Sequence, residues 1–180
     1  MPSVSNYSTS QHLEAFDIHK FGRMNTLELL TTLHSLDSSN LDDNRKLLIL
    51  VAGTGDAASM RTGLQNADLA VDEETLSFAI LMVVYSGMGK AEPEGGLTTL
   101  RLLLETGAPP NIADPEGNTP LIVAPRDGRI DAVRVLIEYG ADINAQNLAG
   151  QTAMEAALGS SRLRIQKMLR DALRSQEARS

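Results

Sequence analysis

The sequence predicts an all-α solenoid of stacked helix–turn–helix units, on three observations. Residues 114–146, DPEGNTPLIVAPRDGRIDAVRVLIEYGADINAQ, make one complete 33-residue unit with its own start and stop signals. The same signals recur at that interval: Gly150 and Thr152 stand 33 residues after Gly117 and Thr119, and Asn144 stands 33 after Asn111. Aromatic residues make up only 3% of the chain, with no Trp, while the hydrophobic fraction is 42%. Small aliphatic helices that stack closely fit this composition better than one large enclosed core.

Within the complete unit, Asp114-Pro115-Glu116-Gly117 is a type I turn, with Pro fixing φ at the second position and Gly at the fourth. Thr119 is expected to cap a helix that starts at Pro120, a residue without the N–H that would be orphaned there. The apolar run Leu121 to Ala124 is expected to end at Pro125, before Asp127 and Gly128. Asp131 opens a second helix, where Val133, Leu136 and Ile137 recur on one face, and Gly140 stops it. Ala141-Asp142-Ile143-Asn144-Ala145 then runs extended into the next turn.

Shifting this register along the chain divides the rest. Residues 1–10 are expected to be a mobile leader, and residues 11–40, with Leu13, Phe16, Phe21, Leu27, Leu30 and Leu33, an N-terminal helical cap. A degenerate unit fits 41–70, with Gly55 in the place of Gly128. A further unit fits 71–113, with Asp72-Glu73-Glu74 in the first helical turn, a second helix from Leu97 to Glu105 and a loop insertion over 86–96. Residues 147–174 make a capping unit whose last helix is expected to bury Leu163, Gln166, Leu169 and Leu173. Residues 175–180 should fray.

G-N-T-P-L, V-L-I-E-Y-G and A-D-I-N-A, in that order and register, resemble the ankyrin repeat. The likeness covers Leu41 to Arg174 and is strongest over Leu97 to Thr152. It implies a protein-binding module without catalytic activity, engaging its partner through hairpin tips and a concave face. The residues that fall on the family's variable surface positions are Asp72, Glu73, Pro115, Glu116, Asn118, Arg126, Asp127, Gln146, Leu148 and Gln151, with Ala149, Gly159 and Ser160 beside them. Ile122 stands where the family usually has His, so a hydrogen-bonded network to the neighbouring turn is expected to give way to an apolar contact.

Net charge is −7, yet residues 160–180 hold six cations (Arg162, Arg164, Lys167, Arg170, Arg174, Arg179) against Asp171 and Glu177, leaving −11 elsewhere. An acidic body repels phosphate backbones, so the expected partner is a protein with a basic surface and not nucleic acid. The apolar run Phe78 to Tyr85 falls far short of the roughly 20 residues of a membrane span. With no Cys and no signal-like N-terminus, a cytoplasmic monomer with neither cofactor nor metal is the expectation. His12, His19 and His34 show no ligand spacing.

Two other readings remain open at this stage. Lys46 to Ser59, KLLILVAGTGDAAS, could be a buried strand followed by a dinucleotide-binding turn at Gly53 and Gly55, which would make the protein a nucleotide-dependent enzyme. Against this, Asp56 would set a negative charge among amides meant for a pyrophosphate. The chain could also be a structural segment of a larger repeat array.

Overall fold

The computed structural model describes residues 41–65, 71–85, 93–157 and 163–177. The expected leader, N-terminal cap and histidines lie outside the described residues, as do 66–70, 86–92, 178–180, and Gly159 and Ser160.

Eight helices and no strand are found among the described residues. They are α1 Leu41–Thr54, α2 Ala57–Gln65, α3 Glu73–Tyr85, α4 Pro93–Glu105, α5 Pro120–Arg126, α6 Ile130–Glu138, α7 Ala153–Ala156 and α8 Leu163–Glu177. They pair as four hairpins, which we call the first to fourth units. Within the stack α1, α3, α5 and α7 pack in sequence as one layer, and α2, α4, α6 and α8 as the other. Among the described residues the main helix-to-helix contacts run within units and between neighbouring units, as in a quasi-one-dimensional solenoid.

One continuous apolar cluster runs along the stack between the layers. It includes Leu48, Ile80 and Val84, Leu121 and Ile122, and Ala153 from the first layer, with Met60, Leu100, Leu103, Leu136, Ile165 and Leu169 from the second. The layers approach closely where glycine allows it. A Cβ on Gly63 would lie 2.7 Å from Leu48 Cδ1, and one on Gly55 would lie 3.0 Å from the backbone nitrogen of Gly96.

Helix ends follow from the glycine register. After α6, the amide of Gly140 (φ +82°) donates to Ile137 and that of Ala141 to Leu136, the crossed pair of bonds that satisfies the last carbonyls. The same pair recurs at Gly107 and Ala108 after α4, and at Gly128 and Arg129 after α5. Pro125 therefore does not stop α5 as expected: it sits buried in the last turn, and its carbonyl accepts the Gly128 amide. Pro125 lacks the amide that would donate to the Leu121 carbonyl, and with the helix ending one residue later the loss is confined to that one bond.

Other expectations are corrected by packing. The fourth-unit helix extends to Glu177, past the expected end of the unit at Arg174. Its buried residues are Ile165 and Leu169, with Ala172 and Leu173 packed beside them, whereas Leu163 is 61% exposed. The helix α4 starts at Pro93 and not at Leu97, with Pro in the first turn, where a missing N–H has no consequence. Gly95 and Gly96, read from the sequence as loop residues, lie within this helix, and their backbone approaches Gly55 so closely that a Cβ on Gly55 would lie 3.0 Å from the Gly96 nitrogen. Lys46 to Thr54 is helix, so no strand leads into Gly53 and Gly55.

Candidate functional site

The hairpin tips of the third and fourth units form the best-defined surface among the described residues, and they are joined backbone to backbone. In the turn 114–117 the amide of Gly117 donates to the Asp114 carbonyl at 2.9 Å, and in the next turn Gly150 does the same to Asn147 at 2.9 Å. The Leu148 amide then reaches across to the Glu116 carbonyl at 2.9 Å. Gly117 (φ +78°) leaves room for this, since a Cβ on it would lie 2.9 Å from the Leu148 nitrogen.

Beneath the tips runs a buried polar ladder. Asp114 accepts from the Asn118 amide (2.7 Å), from Asn118 Nδ2 (2.9 Å) and from the Tyr85 hydroxyl at the end of α3. Asn118 Oδ1 in turn accepts from Arg126 Nη2 (2.8 Å) and from Asn147 Nδ2 (2.9 Å). Asn147 repeats the role of Asp114 one unit on, accepting the Ala149 and Gln151 amides at Oδ1. Burial, and then the hydrogen bond to Asp114, push the Tyr85 phenol well above its ordinary pKa, so it stays a donor. The ladder thus spans three units, from Tyr85 through Asp114 and Asn118 to Asn147.

This corrects two expectations. Asn118 is buried and is the hub of the ladder, not a tip residue open to a partner. Ile122 is indeed fully buried and apolar, but a network between neighbouring turns persists without His, carried by Asn118, Tyr85 and Arg126. A polar residue in a tip reads as solvated unless its partner in the next unit, Asn147, 29 residues away, is known.

The other candidates divide by environment. Pro115, Glu116, Gln146, Leu148, Ala149 and Gln151 are all exposed on the adjoining tips, Leu148 to 82%. Gln151 accepts from Asn147 Nδ2 at 3.3 Å. Arg126 is half-buried and points one guanidinium nitrogen at Asn118, while Asp127 is exposed and pairs with Arg129 at 3.1 Å. Glu73 is exposed at the head of α3. Asp72 is engaged in capping: its Oδ1 accepts from the amide and hydroxyl of Thr75, and its Oδ2 pairs with Arg45 at 3.2 Å. Partial burial pushes its pKa up, but these hydrogen bonds and Arg45 outweigh that and hold it below the usual value.

The Gly53 and Gly55 turn is occupied in the same way. Asp56 accepts the amides of Ala58 and Ser59 and the Ser59 hydroxyl (2.6 Å), so its own carboxylate fills the N-terminus of α2. The Ser59 hydroxyl and amide hold its pKa down. No group of three or more metal-ligating side chains occurs among the described residues. No helix among them is long and apolar enough to cross a membrane.

A family model described as ankyrin repeats matches residues 88–177, in three copies. The chain belongs to the ankyrin repeat family. Ankyrin repeats generally serve as protein–protein interaction modules. The match starts after α3, yet α1 packs on α3 and α2 on α4, so the first hairpin continues the ankyrin stack beyond the matched residues. No curated protein matches the chain.

Proposed function

We propose that this ankyrin repeat protein is a non-catalytic cytoplasmic module that binds one protein partner through the tips of its third and fourth units. It acts by blocking or scaffolding that partner. The observation that carries this is Leu148, 82% exposed on a turn whose amide is fixed to Glu116. A large apolar side chain held in water on an ordered backbone is the kind of anchor that loses little entropy on binding. Glu116 beside it, and the acidic balance of the chain outside residues 160–180, favour a partner whose apolar pocket has a basic rim. Pro115, Gln146 and Gln151 would form the surround, with Asp127, Arg126, Glu73 and Asp72 toward the earlier units.

The test is capture from source lysate by the wild type and by the double variant Glu116→Arg, Leu148→Ser. Both changes lie on exposed positions, so stability should stay within about 0.5 kcal/mol, while a saturable partner is retained only by the wild type. Equal capture by both would overturn the tip assignment. Melting in the presence of NAD or ATP should show no shift, and a saturable rise in Tm would overturn the non-catalytic reading.

A further inference from the structure

Two large apolar side chains are exposed among the described residues, and they lie on surfaces of opposite charge. Leu148 stands on the tip next to Glu116. Leu163, 61% exposed, opens α8, where Lys167, Arg170 and Arg174 follow at helical spacing on the same face and Arg164 stands alongside, all of them exposed. The helix carries two acids, Asp171 and Glu177, against these cations, and Asp171 reaches Arg174 only at 3.9 Å, between side chains that are mostly in water, so it neutralises little of this face. Residues 160–180 together carry +4 against −11 for the rest of the chain.

We propose that the two faces fit each other in separate copies: the Leu148–Glu116 tip of one molecule docks on the Leu163–Lys167–Arg170 face of a second. This rests on the reading of the tip as a binding surface, and it names the protein's own α8 as a basic partner that competes for it. Buried Ile165 and Leu169 hold α8 to the stack from the opposite side, so its basic face can meet another molecule without unfolding. Two apolar anchors and a few charges make a small contact, so the association is weak, concentration-dependent and salt-sensitive. Because tip and face are different surfaces of one chain, the contact is heterologous. Self-association therefore occludes the tip at high concentration and frees it on dilution.

Sedimentation of the full chain over a range of concentrations, at low and high salt, tests this. The weight-average mass should rise above the monomer with concentration and fall back with salt. Leu148→Ser and Leu163→Ser should each abolish the rise, and Glu116→Arg or Lys167→Glu should each weaken it roughly tenfold. A mixture of the Glu116→Arg and Lys167→Glu chains should associate again, because the cation introduced on the tip of one chain then faces the carboxylate introduced on α8 of the other. A wild type that stays monomeric throughout would overturn the proposal. So would association that the charge changes leave intact or that the mixture fails to restore. Leu163→Ser and Lys167→Glu lie outside the proposed partner face, so their capture of a partner from lysate separates failure of self-association from failure of the tip itself.

Discussion

Asn118 and Gln151 occupy the same place in consecutive units, 33 residues apart, yet Asn118 is buried at the centre of four hydrogen bonds while Gln151 lies exposed. Thr119 and Thr152 diverge in the opposite sense. Thr152 forms a reciprocal cap with Glu155, whose carboxylate accepts the Thr152 amide at 2.7 Å. Thr119 caps nothing, and its buried hydroxyl has no partner. The third unit is thus held sideways, by neighbours on both sides. The fourth has only one neighbouring unit among the described residues and is held locally, by its own cap and by a long charged helix. A repeat that loses neighbours must replace lateral contacts with local ones.

The largest test of this difference is in the core. Leu136 and Leu169 are equivalent and fully buried. Leu136→Ala should cost about 2 to 5 kcal/mol in urea unfolding, and Leu169→Ala should fall toward the lower end, because the end unit can relax around the cavity. Equal losses would argue that the fourth unit is as constrained as the third.

Next is the polar hub. Asn118→Ala should cost about 2 to 3 kcal/mol, since Asp114, Asn147 and Arg126 each lose a side-chain hydrogen bond in a buried or half-buried setting, whereas Gln151→Ala should cost less than about 0.5 kcal/mol. The threonines should invert that order. Thr152→Ala should lose about 1 kcal/mol of capping, while Thr119→Val should be neutral or stabilising, because it removes a buried hydroxyl that bonds to nothing.

How far the sequence carried follows from the same residues. The 33-residue spacing located the turns and the glycines because positive φ at Gly117, Gly140 and Gly150 is a local demand that few other residues meet. It placed Thr119 as an N-cap and Thr152 in register with it, but only Thr152 has Glu at the third helical position to close the box; Thr119 has Ile122 there. Asn118 was misread because its role depends on Tyr85 and Asn147, brought together only by stacking. The start of α4 is not legible because Gly95 and Gly96 signal a loop locally, and the packing of their backbone against Gly55 is visible only in the stack. Among the candidate surface residues, the exposed tips at Pro115, Glu116, Gln146 and Leu148 were legible from the turn chemistry; the burial of Asn118 and the bonding of Asp72 to Thr75 and Arg45 and of Arg126 to Asn118 were not.

The smallest effect is with pH. Asp56, Asp72 and Glu155 all have folded pKa values below their ordinary ones, in each case with hydrogen bonds from the capped helical turn lowering them. For Glu155 the first cause is the bond from the Thr152 amide. The folded state then binds fewer protons than the unfolded one, so stability rises with pH across this range. Their contribution is complete above the unfolded values of 3.8 for Asp and 4.5 for Glu, and is lost as pH falls through the lower folded values. The urea midpoint should drop through that acid window, and Asp56→Asn should flatten part of the drop. A midpoint insensitive to pH there would remove the caps from the account.

The central claim is that the ladder in the third unit fixes the fourth unit's tip, so that Leu148 is presented on a rigid backbone. Amide hydrogen exchange at Leu148, in the wild type and in Asn118→Ala, tests it most directly. The account predicts strong protection of the Leu148 amide in the wild type, lost in Asn118→Ala while the Gly140 and Ala141 amides stay protected. Fast exchange of Leu148 in the wild type, or protection indifferent to Asn118, would contradict it.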